Sequence, residues 1–292
     1  MKHIIVGGCS FTAYKGCWPT WLQKEIQSHP LLSQIGPTTL YNQAKGGTGN
    51  EIIARRLIHG VNKLIKQGIN PSDMFVSVMW SGYTRMYIYS DDIDQLRDIF
   101  KVKNPLVHNL PAHADIERGK EIDHPPIPDR WPKEDPLGRY FHATPGSADK
   151  EHALYHHMAE KWFKYFQNST MDLARTYEQV LRVQWYLNSL NIKYIMQSYN
   201  PWWDGMYHSN PDANYTNVQV EHLYEMIDWS KFTDISCTEW IKDHGKVEWT
   251  TYDSVRKITR EPGDGHPTSL QMQEYTQEYL WPTILEKGIL NA

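Results

Sequence analysis

Met74-Phe75-Val76-Ser77-Val78-Met79-Trp80 is a short run in which only Ser77 is polar. A run rich in Val, Phe and Trp, without alternation of apolar and polar positions, is what a central strand covered on both faces requires. Working outward, residues 4–6, 39–42 and 192–197 form three more short strand-like runs. Between them lie longer stretches with apolar residues at helical spacing. One covers residues 18–28. Ile53, Leu57, Val61 and Leu64 mark a second that Gly68 ends, and Leu173, Tyr177, Val180, Leu181 and Leu187 mark a third that stops at Asn191. A last helix is expected from near Thr268 to before Pro282. Short strands alternating with helices predict a mostly parallel sheet with helices on both faces and a ligand site at the carboxyl ends of the strands.

The 292 residues are enough to bury a substantial core, and they read as a single domain over 1–292. With 40% hydrophobic and 22% charged residues, the composition excludes a disordered, collagenous or coiled-coil chain. A net charge of -4 without any Lys/Arg run leaves no electrostatic footprint for a nucleic-acid backbone, so no such partner is expected. Cys9, Cys17 and Cys237 have no zinc-site spacing and read as reduced thiols of an intracellular protein. Ile4-Ile5-Val6 is too short for the apolar part of a signal peptide, and no later run is long enough to span a bilayer. A cytoplasmic location without a membrane partner is therefore expected. Residues 86–150 break the strand-helix rhythm. They hold eight of the 17 prolines and no sustained periodicity, so they read as an insertion, a lid or an oligomer contact. The oligomeric state stays open.

Three motifs bear on chemistry. Gly7-Gly8-Cys9-Ser10-Phe11-Thr12 follows the first strand directly, and its glycines permit a tight turn that presents the Ser10 hydroxyl at the sheet edge. It differs from the Gly-x-Ser-x-Gly elbow because Thr12 stands at the second glycine position; taken alone, it also fits an ordinary loop. Gly263-Asp264-Gly265-His266-Pro267 places a carboxylate beside an imidazole, which suits a histidine that takes a serine proton, or a solvated turn before a helix. Between these lies Asn42-Gln43-Ala44-Lys45-Gly46-Gly47-Thr48-Gly49-Asn50, a glycine loop entering a helix. Backbone N–H groups at such a place suit an oxyanion. The Lys-Ser/Thr of a phosphate loop and the third glycine of a dinucleotide fingerprint are both missing, which argues against a nucleotide site.

Gly8-Cys9-Ser10-Phe11-Thr12, Gly47 with Asn50, and Asp264-Gly265-His266-Pro267 resemble, in order and approximate spacing, the first, second and fifth sequence blocks of the SGNH/GDSL hydrolases. The three blocks frame nearly the whole chain. The resemblance implies a flavodoxin-like three-layer α/β/α fold with a mostly parallel five-stranded sheet, and serine-dependent cleavage of an ester or related acyl bond. It further implies Ser10 as nucleophile, His266 as general base and Asp264 as its orienting carboxylate. The backbone N–H groups of Ser10 and Gly47 would form the oxyanion hole, and neither a metal nor an organic cofactor is implied.

Two departures stand out. The usual family spacing is Asp-x-x-His, whereas Asp264 is two residues before His266, so a backbone carbonyl is an alternative orienting group. The family's third block carries an asparagine that donates to the oxyanion. Here that block reads Trp80-Ser81-Gly82-Tyr83-Thr84-Arg85, and Ser81 and Asn50 are the leading replacements ahead of Arg85.

Trp202 and Trp203 follow the fourth strand, where they stack on a substrate or simply pack a loop; with Arg85 they are the candidate substrate-binding residues. His152, His156 and His157 include an i, i+4 pair, but without an acidic or cysteine partner at metal spacing they read as a solvated helix face. Cys9 reads as a packing residue. The expected activity is hydrolysis of a short acyl or O-acetyl group on a carbohydrate-like small molecule or glycan ester. A catalytically silent carbohydrate-binding or assembly protein and an acyltransferase are the alternatives.

Overall fold

The computed structural model describes residues 2–14, 16–30, 36–89, 140–143, 165, 169–200, 218–246, 251–253, 258–260 and 266–290. Its strands are β1 (His3–Gly7), β2 (Thr39–Asn42), β3 (Met74–Trp80), β4 (Met86–Tyr89), β5 (Tyr140–Ala143), β6 (Lys193–Ser198), β7 (Thr251–Asp253), β8 (Ile258–Arg260) and β9 (His266–Pro267). The four strands expected from the sequence form one parallel sheet in the order β2-β1-β3-β6. Every residue of β3 is buried, as its unbroken apolar character requires.

The five-stranded sheet is not what the described residues form. Next to β6, in the place of a fifth strand, stands a single parallel bridge between Met196 and Phe232, closed by the Thr233 N–H donating to the Met196 carbonyl at 3.0 Å. Pairing stops there because Ser236 caps the next helix. Its hydroxyl accepts from the Glu239 N–H while the Glu239 carboxylate accepts from the Ser236 N–H, which turns the chain out of the sheet.

The helices are α1 (Ser10–Ala13), α2 (Trp18–Ser28), α3 (Asn50–Lys66), α4 (Ser169–Ser189), α5 (Val218–Met226), α6 (Cys237–Asp243), α7 (Ser269–Tyr275) and α8 (Trp281–Glu286). One group packs α3 on β1 and α4, and α4 on α5; the other packs α2 on β2 and α7. This is consistent with a three-layer α/β architecture. Gly68 (φ +86°) follows α3 and Asn191 (φ +53°) follows α4, where left-handed backbone ends the helix. Gly7 lets α3 come close to the sheet, since a Cβ there would lie 3.2 Å from Leu57 Cδ1.

The interior is apolar around Trp18, Trp80, Tyr177 and Phe75, and its polar groups are paired in places that tie layers together. The Tyr275 hydroxyl donates to Gln197 Oε1 at 2.7 Å, and Gln197 Nε2 donates to Ser77 Oγ at 3.4 Å, so α7, β6 and β3 share one buried polar chain. Leaving any of these groups unpaired costs about 1–3 kcal/mol.

The C-terminal helix does not stop before Pro282. A π-helical turn over Thr276–Leu280 joins α7 to α8, whose first turn contains Pro282. Proline lacks an N–H and crowds the preceding turn, and both difficulties are relieved at the start of a helix or beside a widened turn. In the inserted segment, β4 and β5 pair antiparallel from Met86↔Ala143 to Tyr89↔Tyr140, bringing its ends together. Residues 90–139 and 144–150 of the insertion lie outside the described residues. Among the described residues no helix is long and apolar enough to cross a membrane.

Candidate active site

β1 delivers the chain to the sheet edge at Gly7, and the next residues are shaped by close contacts. A Cβ on Gly8 would overlap the Thr12 side chain and sit 3.2 Å from the Met79 carbonyl oxygen, so position 8 admits only glycine without rearrangement. The Cys9 carbonyl accepts from the N–H groups of Thr12 and Ala13, both at 3.0 Å, and starts α1. Ser10 is the first residue of that helix and is 5% exposed. Two side chains hold the turn in place. Trp18 Nε1 donates to Thr12 Oγ1 at 3.1 Å, and Asn42 Nδ2, from the end of β2, donates to the Thr12 carbonyl at 2.8 Å.

The glycine loop lies against this turn. The Lys45 N–H and the Thr48 hydroxyl both donate to the Gly8 carbonyl, at 3.2 and 3.4 Å. A Cβ on Gly46 would stand 3.9 Å from Ser10 Cβ, which places that backbone directly beside the serine. Gly47 adopts φ +74°, a left-handed conformation that suits glycine.

His266 comes from the other end of the chain. It pairs with Tyr252 of β7 as part of the short β9, so a three-stranded ladder in the order β8-β7-β9 holds its backbone. Directly after it, Thr268 and Gln271 form a reciprocal cap on α7, and the Ser269 hydroxyl donates to the Gly16 carbonyl at 3.0 Å. That bond ties the histidine segment to the loop following Ser10. The imidazole is flanked by Phe11, with ring centres 4.9 Å apart, and by Tyr14, edge-on at 5.3 Å. Its Nε2 lies 2.6 Å from Ser10 Oγ.

The other expected site residues divide clearly. Asn50 is buried and fully engaged in the fold: its Nδ2 donates to the Ser81 carbonyl and to Thr176 Oγ1, both at 3.1 Å, and its Oδ1 accepts from the Ser81 N–H at 2.8 Å. It clamps α3 to the end of β3 and to α4, which leaves its amide no hydrogen for an oxyanion. Ser81 is fully buried, and its hydroxyl has no partner among the described residues. Arg85 stands beside the glycine loop, where NH1 donates to the Thr48 carbonyl at 3.0 Å. Asp264, Trp202 and Trp203 lie outside the described residues, as do His152, His156 and His157.

The sequence motifs give Asn42, Phe11 and Tyr14 no role, whereas Tyr199 opens the aromatic stretch 199–205 expected near the strand ends. Asn42, Phe11, Tyr14 and Tyr199 surround Ser10 and His266 through the contacts above and through the Phe11–Tyr199 ring pair at 4.6 Å. The available signal was positional, since Asn42 and Tyr199 each end or follow a strand at the edge where a site is expected. Cys9 is fully buried, and all three cysteines are free. Burial pushes the Cys237 thiol well above its ordinary pKa. Among the described residues there is no group of three or more His, Cys, Asp or Glu side chains placed to hold a metal ion.

A serine hydroxyl in hydrogen-bond contact with an imidazole, beside backbone turns at the carboxyl ends of parallel strands, is equipped for proton transfer and nucleophilic attack. No protein-family model, no curated protein and no solved structure matches this chain.

Proposed function

We propose that the protein is an SGNH-type serine hydrolase that cleaves a short acyl or O-acetyl ester of a small molecule or glycan through an acyl-serine intermediate. The observation that carries this reading is the 2.6 Å contact between His266 Nε2 and Ser10 Oγ. In the neutral ring with its proton on Nδ1, Nε2 accepts the serine hydroxyl. As Oγ attacks the ester carbonyl carbon, its proton passes to Nε2, and the same proton then goes to the departing alcohol. Water enters, gives a proton to His266, and attacks the acyl-serine; collapse releases the acid and returns the proton to Ser10.

The negative oxygen of each tetrahedral intermediate needs fixed donors. The Ser10 N–H opens α1, where a helix supplies no acceptor of its own, and the Gly46-Gly47 turn is beside it. With Asn50 engaged as a clamp and the Ser81 hydroxyl fully buried, the oxyanion in this reading is left to the Ser10 and Gly47 N–H groups. The family resemblance assigns Asp264 to the other side of the imidazole. A flavodoxin-like strand order is supported by the β2-β1-β3-β6 sheet with its added bridge at Phe232. Close packing of Gly46 and Tyr14 around a nearly buried Ser10 favours a small acyl group over a long one.

The test is incubation with a fluorophosphonate, followed by intact mass and peptide mapping. Stoichiometric labelling of Ser10 that disappears in His266→Ala is expected. A folded protein that takes up no label refutes the hydrolase and leaves a silent binding scaffold. Product analysis with and without an added sugar acceptor then separates hydrolysis from acyl transfer.

A further inference from the structure

Arg85 is a cation tied to the glycine loop, and among the described residues it has no carboxylate partner. Its NH1 donates to the Thr48 carbonyl at 3.0 Å, which fastens it to the loop that carries Gly46 and Gly47. Its guanidinium carbon lies 5.7 Å from the centre of the Tyr199 ring. Tyr199 in turn packs on Phe11 at 4.6 Å, and Phe11 on His266 at 4.9 Å, so two aromatic rings separate the guanidinium from the reacting imidazole. The Tyr199 backbone is fixed as well, because its N–H donates to the Trp80 carbonyl at 3.2 Å.

Among the described residues Glu51 pairs with Arg55, Asp172 with Arg175, Asp234 with Lys287 and Glu278 with Lys246, and no carboxylate pairs with Arg85. Tyr199 does not supply the missing charge, since burial raises its phenol pKa and keeps it neutral at physiological pH. Arg85 also hydrogen-bonds the Tyr199 side chain, yet the five N–H donors of this partly buried guanidinium exceed what that phenol oxygen and one carbonyl use. The remaining fork matches two oxygens of an anionic group, at a place already anchored on two sides.

We infer that Arg85 makes this site selective for esters that carry an anionic group, of the carboxylate type, on the side of the site where Thr48 and Tyr199 hold the guanidinium. The inference rests on the ester-hydrolase reading and specifies its substrate class. The anion belongs either to the acyl part or to the alcohol, and the guanidinium recognises the same chemistry in both.

Two pairs of esters test it, each corrected for uncatalysed hydrolysis. 4-Nitrophenyl hemiglutarate against 4-nitrophenyl pentanoate places the charge on the acyl side, and 4-carboxyphenyl acetate against phenyl acetate places it on the alcohol side. The native protein is expected to favour the anionic member of one pair by at least about tenfold in kcat/KM, which corresponds to one well-made charged contact. That ratio should fall towards one in Arg85→Gln, and Arg85→Lys should keep part of it because the charge remains while the fork is lost. Added salt should lower the ratio in the native protein. Turnover of neutral esters with no anionic preference in either pair overturns the inference while leaving the hydrolase intact, as does a preference that survives Arg85→Gln. Absence of turnover for all four esters, together with no fluorophosphonate label on Ser10, overturns the hydrolase reading and this inference with it.

Discussion

His266 Nε2 lies 2.6 Å from Ser10 Oγ although 256 positions of sequence separate the two residues. One arrives on the turn after the first strand, the other on a two-residue strand held by Tyr252. The bond between Ser269 and Gly16 fastens the two segments a few residues away. The contact is therefore held by backbone pairing and packing on both sides, as a preorganised proton-transfer pair requires.

Ser10→Ala and His266→Ala should each lower ester turnover by at least about a thousandfold. Thermal melts should stay within a few degrees of the native protein, because neither change removes a large buried apolar group. Asp264→Asn should lose less activity than His266→Ala where a carbonyl shares the orienting role. Equal losses in steady-state kinetics would assign that role to the carboxylate alone.

Gly8→Ala and Gly46→Ala should separate folding from catalysis. A methyl at position 8 overlaps Thr12, and such overpacking costs about 1–3 kcal/mol. At about 2–4 °C per kcal/mol for a chain of this size class, the melting temperature should fall by several degrees. A methyl at position 46 meets Tyr14 and Ser10 only at ordinary contact distances of 3.8 and 3.9 Å, so the melt should barely move. Activity should nevertheless drop more for butyryl than for acetyl esters, since the methyl narrows the space beside Ser10. Parallel calorimetry and acyl-chain series check both expectations.

Asn50→Ala should be among the more destabilising polar changes. It leaves the Ser81 N–H and carbonyl and the Thr176 hydroxyl without their partner in the interior, at a cost of about 2–4 kcal/mol. Asn50→Asp keeps the acceptor for the Ser81 N–H but sets a buried carboxylate oxygen against the Ser81 carbonyl, and should be at least as destabilising as alanine at neutral pH. Urea unfolding with a constant m-value measures the order.

Stability should decline in alkali. Burial, with a further contribution from Asp228, pushes Tyr194 up to about 12, and Tyr275 and Tyr279 are also raised by burial. Below the ordinary tyrosine pKa of about 10 the phenols are neutral in both states and titration changes nothing. Above it the unfolded chain releases protons that the folded chain retains, so unfolding gains as pH rises from about 10 towards 12. Melting temperatures recorded from pH 7 to 11.5 should show this fall, and Tyr194→Phe should show a shallower one.

Much of the scaffold was legible locally. The unbroken apolar run of Met74–Trp80 announced a strand buried on both faces, and Gly68 and Asn191 marked helix ends because left-handed backbone is needed there. The segment before Pro282 was misread because a proline signals a stop only when the helix keeps its ordinary winding, and the π-helical turn at Thr276–Leu280 changes it. The fifth strand implied by the resemblance has no counterpart among the described residues. A cap at Ser236, itself readable, ended the pairing of Phe232 after a single bridge.

Sequence alone determined the alternation of strands and helices and the serine and histidine motifs at its two ends, because burial periodicity and turn conformation are properties of neighbouring residues. Which groups meet was settled by the packing of the layers. Asn50 clamps Ser81, Arg85 reaches the Thr48 carbonyl, and Ser10 touches His266. Each partner is set by distance after the layers have packed, and separation in space between residues far apart in the chain leaves no mark on local pattern.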